Sequence, residues 1–530
     1  MPANDESKEG NELVPAREPH GQLTRRRFLQ GTALTLGAAL ASAGIYELIE
    51  TIAQPPERVA FAASEPMQEQ YLLQNEQVIE VTGAGVESSA SAGTIAVRVP
   101  ALHDHVITAT LKVPTNAKAL QEAQQHLESV LLGLEQQFPP TPTGLGIAVA
   151  WGLPYFHRYI PSLGKISPFF PAGTRYPAYL PVDLVTSKLE GHTVYAIQEA
   201  RTFPSDQPPA GFGPVHLEQN DMAVLLRSDS LSNMMAGTNA LFGSGSNQAG
   251  DLFTVTSIRR GFSGGGFSGH QSLPSRLALA ADLPGARSIP PQAQAFLGFT
   301  TTLQDNMGPG IIANLETLPG VTDQWPHGYF RQGTTMPLSH LFEDLATWYG
   351  QDFPQYAHRV QAMLQPGLSP TPAPGTLTLD PPGQSEADVA HGVHQYHAYG
   401  HSGSMAQVDS TTSPTTSNYG VVYPTGTTIP VRGDFNTLDN PFSYTADPSA
   451  DQYSSTPAAG LHFIVFQPTI GIFNRVRLAM DGQYADGTVL PIVPRSAHAG
   501  INAVLFTTHR QNYLVPPRRH RAFPLAEFLA

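Results

Sequence analysis

The sequence predicts an α+β fold of two ferredoxin-like halves, each an antiparallel sheet with peripheral helices. Three observations carry this expectation. Runs such as Gly93–Val99 and Val106–Val113 are rich in β-branched residues and alternate in polarity, as half-buried strands do. Between such runs lies Ala117 to Gln137, whose apolar residues recur at helical spacing. The strand and helix order then occurs a second time along the chain, as a fold of two similar halves requires. The expected boundaries are residues 1–64 for an export signal and linker, 65–285 for the N-terminal half and 286–530 for the C-terminal half.

Bulk composition limits the function classes. With 530 residues, 41% of them hydrophobic, the chain can bury a large core. A net charge of −14 and a pI near 5.7 argue against a nucleic-acid partner. There is no cysteine, which excludes disulfides, thiolate zinc sites, iron–sulfur clusters, thiolate-ligated haem and c-type attachment.

The N-terminus reads as a twin-arginine export signal. Thr24-Arg25-Arg26-Arg27-Phe28-Leu29 precedes a mildly apolar stretch from Thr32 to Ile49. Small-residue cleavage sites lie at Ala41-Ser42-Ala43 and at Ala60 to Ala63. The expected partner is the twin-arginine export machinery, the expected location is outside the cytoplasm, and membrane contact follows only if the signal stays uncleaved. This route carries folded proteins and so suits a non-covalently held prosthetic group.

In chain order, Asn116 is the expected N-cap of the helix from Ala117, which turns Leu120, Ala123, His126, Leu127, Val130 and Leu134 to one face. Strands are expected at 144–152, 223–229 and 252–258, with a helix near 231–241 between the last two. Ala295 to Thr302 is an apolar run opening into a glycine-punctuated loop, a buried strand or turn that delivers a loop to a cavity. Gly333 to Leu341 leads toward an amphipathic helix carrying Trp348. Leu461 to Gln467 reads as a fully buried strand followed by a helix around 472–480, and the basic, proline-rich tail from Leu514 to Pro524 as a solvated terminal segment.

This order of motifs resembles the dye-decolourising (DyP-type) haem peroxidases. Asn220 to Ser230 is similar to the family's Gly-Asp-Leu-Leu-Leu-Gln-Ile-Arg-Ala-Asp strand, and Gly298-Phe299-Thr300-Thr301 stands where the family has Gly-Phe-x-Asp-Gly. The resemblance covers most of residues 90–525 and implies a DyP-like fold holding non-covalent haem b, with Phe299 lining the cofactor. It also implies hydrogen-peroxide-dependent oxidation of an electron donor that the sequence does not identify. Thr301 occupies the place of the catalytic aspartate and cannot move a proton at neutral pH. Asp305 or Asp434 would then supply the carboxylate, or each is a turn former or an arginine partner.

The implied iron ligand is His401, in Gly400-His401-Ser402-Gly403, although Ser402 and Gly403 replace the family's Ile-Arg. The imidazoles of His391, His394, His397 and His401 equally suit a copper or zinc site, or belong to a solvated loop. Gly426 to Asn436 resembles the segment that supplies the distal arginine, which makes Arg432 the candidate; the ordinary reading is an ion-paired surface arginine. Asp434, two residues on, shares its side of an extended strand. Trp348 is a candidate surface aromatic for electron transfer. The alternatives to a peroxidase are a DyP-fold haem carrier without turnover and a copper or zinc protein. An oligomer is compatible with all three.

Overall fold

The computed structural model describes residues 100–160, 180–207, 213–263, 273–289, 293–298, 320–324, 328–350, 429–440, 457–493 and 499–529, together with positions 49, 69–70, 78–82 and 94–98 and parts of 390–425. Two strands, β1 (Val78–Thr82) and β2 (Thr94–Arg98), form a separate antiparallel pair.

The first main unit runs β3 (His103–Leu111), α1 (Ala117–Gln137), β4 (Gly146–Gly152), α2 (Leu153–Tyr159), α3 (Leu184–Glu190), β5 (His216–Leu217), β6 (Met222–Ser228), α4 (Leu231–Phe242) and β7 (Phe253–Phe262). Asn116 caps α1 as expected, its side chain accepting from the Ala119 amide at 2.9 Å. The buried face of α1 is Leu120, Ala123, Leu127, Val130, Leu131 and Leu134. The second unit follows α5 (Leu273–Ala280). It comprises β8 (Thr334–Glu343), the one-turn helix α6 (Leu345–Trp348), the short pair β9 (Thr415–Thr416) and β10 (Val422–Tyr423), β11 (Val431–Arg432), β12 (Phe435–Thr437), β13 (Gly460–Phe466), α7 (Ile470–Met480) and β14 (Leu505–Val515). The amphipathic helix expected around Trp348 is thus a single turn among the described residues.

Strand order is β7-β3-β6-β4 in the first unit and β12-β13-β8-β14 in the second, all antiparallel. The two sheets join at both edges, β4 to β14 and β7 to β12, so eight strands close into one barrel. Closure leaves none of the eight with an unpaired edge over its full length. Register fixes which side chains enter. Val106, Leu225, Leu338, Phe435, Ile464 and Tyr513 fill the interior, with Ala148, Ala150 and Ala223 leaving room opposite them. Helices α1 and α4 cover the outside of the first unit, and α5 packs on the second cluster, around Phe262, Phe296 and Trp348. Ile49 is buried in that second cluster. No helix among the described residues is long and apolar enough to cross a membrane.

The C-terminal tail is docked, contrary to the solvated segment expected from its charge. Arg521 is 2% exposed and bonds Glu128 and Glu135 of α1, and Arg518 also bonds Glu135. The Trp151 indole donates to the Arg521 carbonyl at 2.8 Å and the Tyr155 hydroxyl to the Pro524 carbonyl at 2.9 Å. Tyr329 stacks on His520 with ring centres 3.7 Å apart, and its hydroxyl donates to Glu527. Burying apolar bodies while pairing the Arg518 and Arg521 guanidiniums with α1 outweighs solvation of these two arginines.

Candidate functional site

The strand from β11 through β12 alternates strictly. Phe435 faces the barrel interior, so Arg432, Asp434 and Asn436 face outward. Arg432 donates twice to Asp434, Nε to Oδ1 at 3.2 Å and Nη2 to Oδ2 at 3.1 Å. Asp434 is buried, whereas the Arg432 side chain is 36% exposed. The pair therefore presents a planar guanidinium, fixed from beneath, to whatever occupies the space above it.

Two positions along, the Asn436 side-chain amide donates to the Gln294 carbonyl at 2.8 Å. This ties the strand to the turn at Ala295–Gly298, the beginning of the glycine-phenylalanine stretch. The turn is held from two further directions. The Trp348 indole donates to the Leu297 carbonyl at 2.8 Å and the Tyr349 hydroxyl to the Phe296 carbonyl at 2.8 Å. Phe296 packs edge-on against Phe262, ring centres 5.8 Å apart. Gly298 sits at φ 87°, a left-handed conformation that costs a glycine little.

Carboxyls around the pair are forced toward neutrality. Glu343, at the end of β8, is 3% exposed, and burial, reinforced by the charge of Asp434, pushes its pKa up to about 8. Asp104 of β3 is raised to about 6, chiefly by burial, against the opposing pull of Arg227, whose Nε stands 2.5 Å from its Oδ1. Arg227 also donates to the Gly433 carbonyl at 3.0 Å, between Arg432 and Asp434. Asp104 accepts from the Ser263 hydroxyl at 2.7 Å.

Inside the barrel lies a second polar group. The rings of His340 and His462 are 4.3 Å apart and His509 stands 6.4 Å from His340. Glu218 joins Arg259 at 2.5 Å and His509 at 3.2 Å. Burial holds all three imidazoles below the usual histidine range. Among the described residues no set of three or more His, Asp or Glu side chains is arranged to hold a metal ion.

Of the residues singled out in the sequence, Phe299, Thr301, Asp305 and His401 lie outside the described residues. Arg432 and Asp434 are described and are brought together. His391 and His394 are exposed on a short helical stretch whose Ala390 and Val393 pack inward. Trp348 is not a surface aromatic: it is 0% exposed, and its one polar atom is committed to Leu297. Glu343 was not marked by the sequence, since nothing local separates it from the other acidic residues, 43 in all.

A family model matches residues 193–517, more than half of the chain. The chain belongs to the family of unknown function DUF7405. No curated protein matches it. Among solved structures it is similar to the encapsulated DyP-type peroxidase from Mycobacterium smegmatis, at 11% identity and a TM-score of 0.42, over 80% of this chain and 96% of that one. It is also similar to the DyP-type peroxidase from Cellulomonas bogoriensis, at 14% identity and a TM-score of 0.42, over 82% and 94%. A DypB variant from Rhodococcus jostii RHA1 in complex with haem gives 11% identity and a TM-score of 0.41, over 82% and 97%.

Proposed function

We propose that this DUF7405 protein is an exported, DyP-like haem protein that reduces hydrogen peroxide at the expense of an electron donor. In this reading the two four-stranded units are its ferredoxin-like halves, and the Arg432 face of the barrel is the distal side of the haem. The observation that carries it is the Arg432–Asp434 pair, a partly exposed guanidinium locked by a buried carboxylate on the strand that Asn436 ties to the Ala295–Gly298 turn. That is the order in which the sequence resembles the DyP-type enzymes.

The described residues fit the distal side of such a group. Arg432 offers a fixed cation, held from beneath by the buried carboxylate of Asp434. His401 would hold the iron, and its position is the part of the reading that rests on sequence alone. When bound, haem supplies the redox chemistry. Arg432 would orient a peroxide and stabilise the negative charge that grows on its departing oxygen. The low-dielectric base under Arg432 strengthens that interaction.

The deciding experiment is the absorption spectrum of the full chain expressed with haem supply, beside His401→Ala. A Soret band that collapses in the variant supports the reading, and no Soret band from the folded parent overturns it. The second reading is a haem carrier without turnover, favoured by Thr301 in place of the aspartate. A Soret band that does not respond to peroxide would select it.

A further inference from the structure

We infer that Arg227 is a positioning residue for Arg432, reaching from the first unit to fix the backbone carbonyl between Arg432 and Asp434. The inference rests on the haem reading given above and deepens it by naming what sets the distal guanidinium in place.

Arg227 and Asp104 stand directly opposite each other in the β6–β3 register. Leu225 and Val106, two residues along from each, fill the barrel interior, so both charged side chains also point inward. Both are 0% exposed, and Nε of Arg227 lies 2.5 Å from Oδ1 of Asp104. The other Asp104 oxygen accepts from the Ser263 hydroxyl at 2.7 Å. Held at that end, the guanidinium crosses the interior past β3 and β7, and Nη2 donates to the Gly433 carbonyl at 3.0 Å.

The strand needs this support where it receives it. β11 ends at Arg432 and β12 begins at Phe435, so Gly433 and Asp434 lie in a break between strands. β12 meets β7 through a single register pair, Asn436 with Phe262. The Gly433 amide donates to the Ile464 carbonyl of β13 at 2.8 Å, and Arg227 takes its carbonyl. Gly433 is therefore bonded once to each unit. A side chain at 433 would collide with the interior, since a Cβ there would meet Phe466 Cε2 at 2.6 Å. With Gly433 pinned from inside, Arg432 and Asp434 emerge on the outer face, where Asp434 accepts from the guanidinium at 3.2 and 3.1 Å.

A buried ion pair is weak evidence of stability, because both ions give up their water. The Arg227–Asp104 pair does something that an apolar pair of equal volume could not. Its guanidinium has a second donor, and that donor goes to the one carbonyl flanked by the two residues of the site. A displacement of about 1 Å at a reacting centre costs about 10²-fold in rate, so the placement of Gly433 reaches the chemistry through Arg432.

The test compares the full chain with Arg227→Lys, Arg227→Met, Arg432→Leu and the double variant Arg227→Met/Arg432→Leu. Without haem, nuclear magnetic resonance reads the Nε–H of Arg432, assigned as the bonded signal missing from Arg432→Leu. This signal should shift and exchange faster with water in both Arg227 variants, because Lys keeps a cation beside Asp104 but lacks the planar fork that also reaches Gly433. With haem supplied and the Soret band retained, each Arg227 variant should react with peroxide about 10²-fold more slowly. The double variant should be no slower than Arg432→Leu, since a residue that acts through Arg432 then has nothing left to place. An unmoved Nε–H signal, a parental peroxide rate in either Arg227 variant, or losses that multiply in the double variant overturn the inference and leave the haem reading standing. Should Arg227→Met fail to fold, Arg227→Lys, alone and combined with Arg432→Leu, decides by the same criteria. A folded parent without a Soret band overturns the haem reading, and the Nε–H signal alone then decides whether Arg227 positions Arg432.

Discussion

The imidazoles of His340 and His462 face each other inside a closed barrel, ring centres 4.3 Å apart and both side chains fully buried. Burial is the largest cause holding both below the usual histidine range, and the same holds for His509. Each stays neutral in the fold, whereas the unfolded chain binds protons below about pH 6.5. Stability should therefore fall as pH drops through that value, by about 1.4 kcal/mol per pH unit for each such histidine. His340→Gln should lower the slope by about one histidine's share. Urea midpoints between pH 7.5 and 5 measure it, and an unchanged slope would refute the buried-neutral assignment.

Glu343 works in the opposite direction. Its folded pKa is raised to about 8 from the model-compound value 4.5, so between these values the folded chain holds a proton that the unfolded chain has lost. Stability should decline as pH rises through that window. Glu343→Gln, which cannot ionise, should lose less stability than the parent between pH 6 and 9. Thermal midpoints across that range show the difference, and parallel curves would contradict it.

Arg432 is expected to act on peroxide rather than on the fold. Arg432→Leu should keep the Soret band while slowing the peroxide reaction by about 10²–10³-fold, the usual loss when one donor to a developing oxyanion is removed. Stopped-flow absorbance is the readout. The variant leaves Asp434 buried without its guanidinium partner, so its thermal midpoint should fall as well.

Trp348 should matter for stability and not for electron transfer. Trp348→Phe keeps most of the buried area but deprives the Leu297 carbonyl of its donor, a loss of about 1–3 kcal/mol. Trp348→Ala should cost about 3–5 kcal/mol. Donor oxidation per folded molecule should be unchanged in Trp348→Phe.

The tail carries a further expectation. Arg521→Ala leaves Glu128 without its cation and Glu135 with Arg518 alone, and should destabilise by about 1–3 kcal/mol. Deleting the residues after Pro517 removes the acceptors of Trp151 and Tyr155 as well and should prevent folding of the first unit. Far-ultraviolet circular dichroism and calorimetry report both.

Much of the first unit was legible in the sequence because its signals are local. The Asn116 cap, the apolar stripe of α1 and the alternation in β3 and β7 each depend on residues a few positions apart. β14 escaped notice for a physical reason. It turns Gln511 and His509 toward the barrel's polar layer, so apolar-polar alternation, the usual mark of a strand, is blurred there. The tail misled because three arginines and a histidine look solvated until α1 supplies Glu128 and Glu135, more than 380 residues away.

By itself the sequence determined the strands and helices of the first unit, the pairing side of Arg432 and Asp434, and the absence of any thiol chemistry. Tertiary structure alone decided that the two sheets close into one barrel and that Trp348 is core. It also decided that Glu343, 91 positions from Asp434 in the chain, feels its charge and keeps its proton. Periodicity is written in neighbouring residues, but a carboxyl's charge state depends on what water it loses and which charges approach it, and both are set by strands that meet only when the barrel closes.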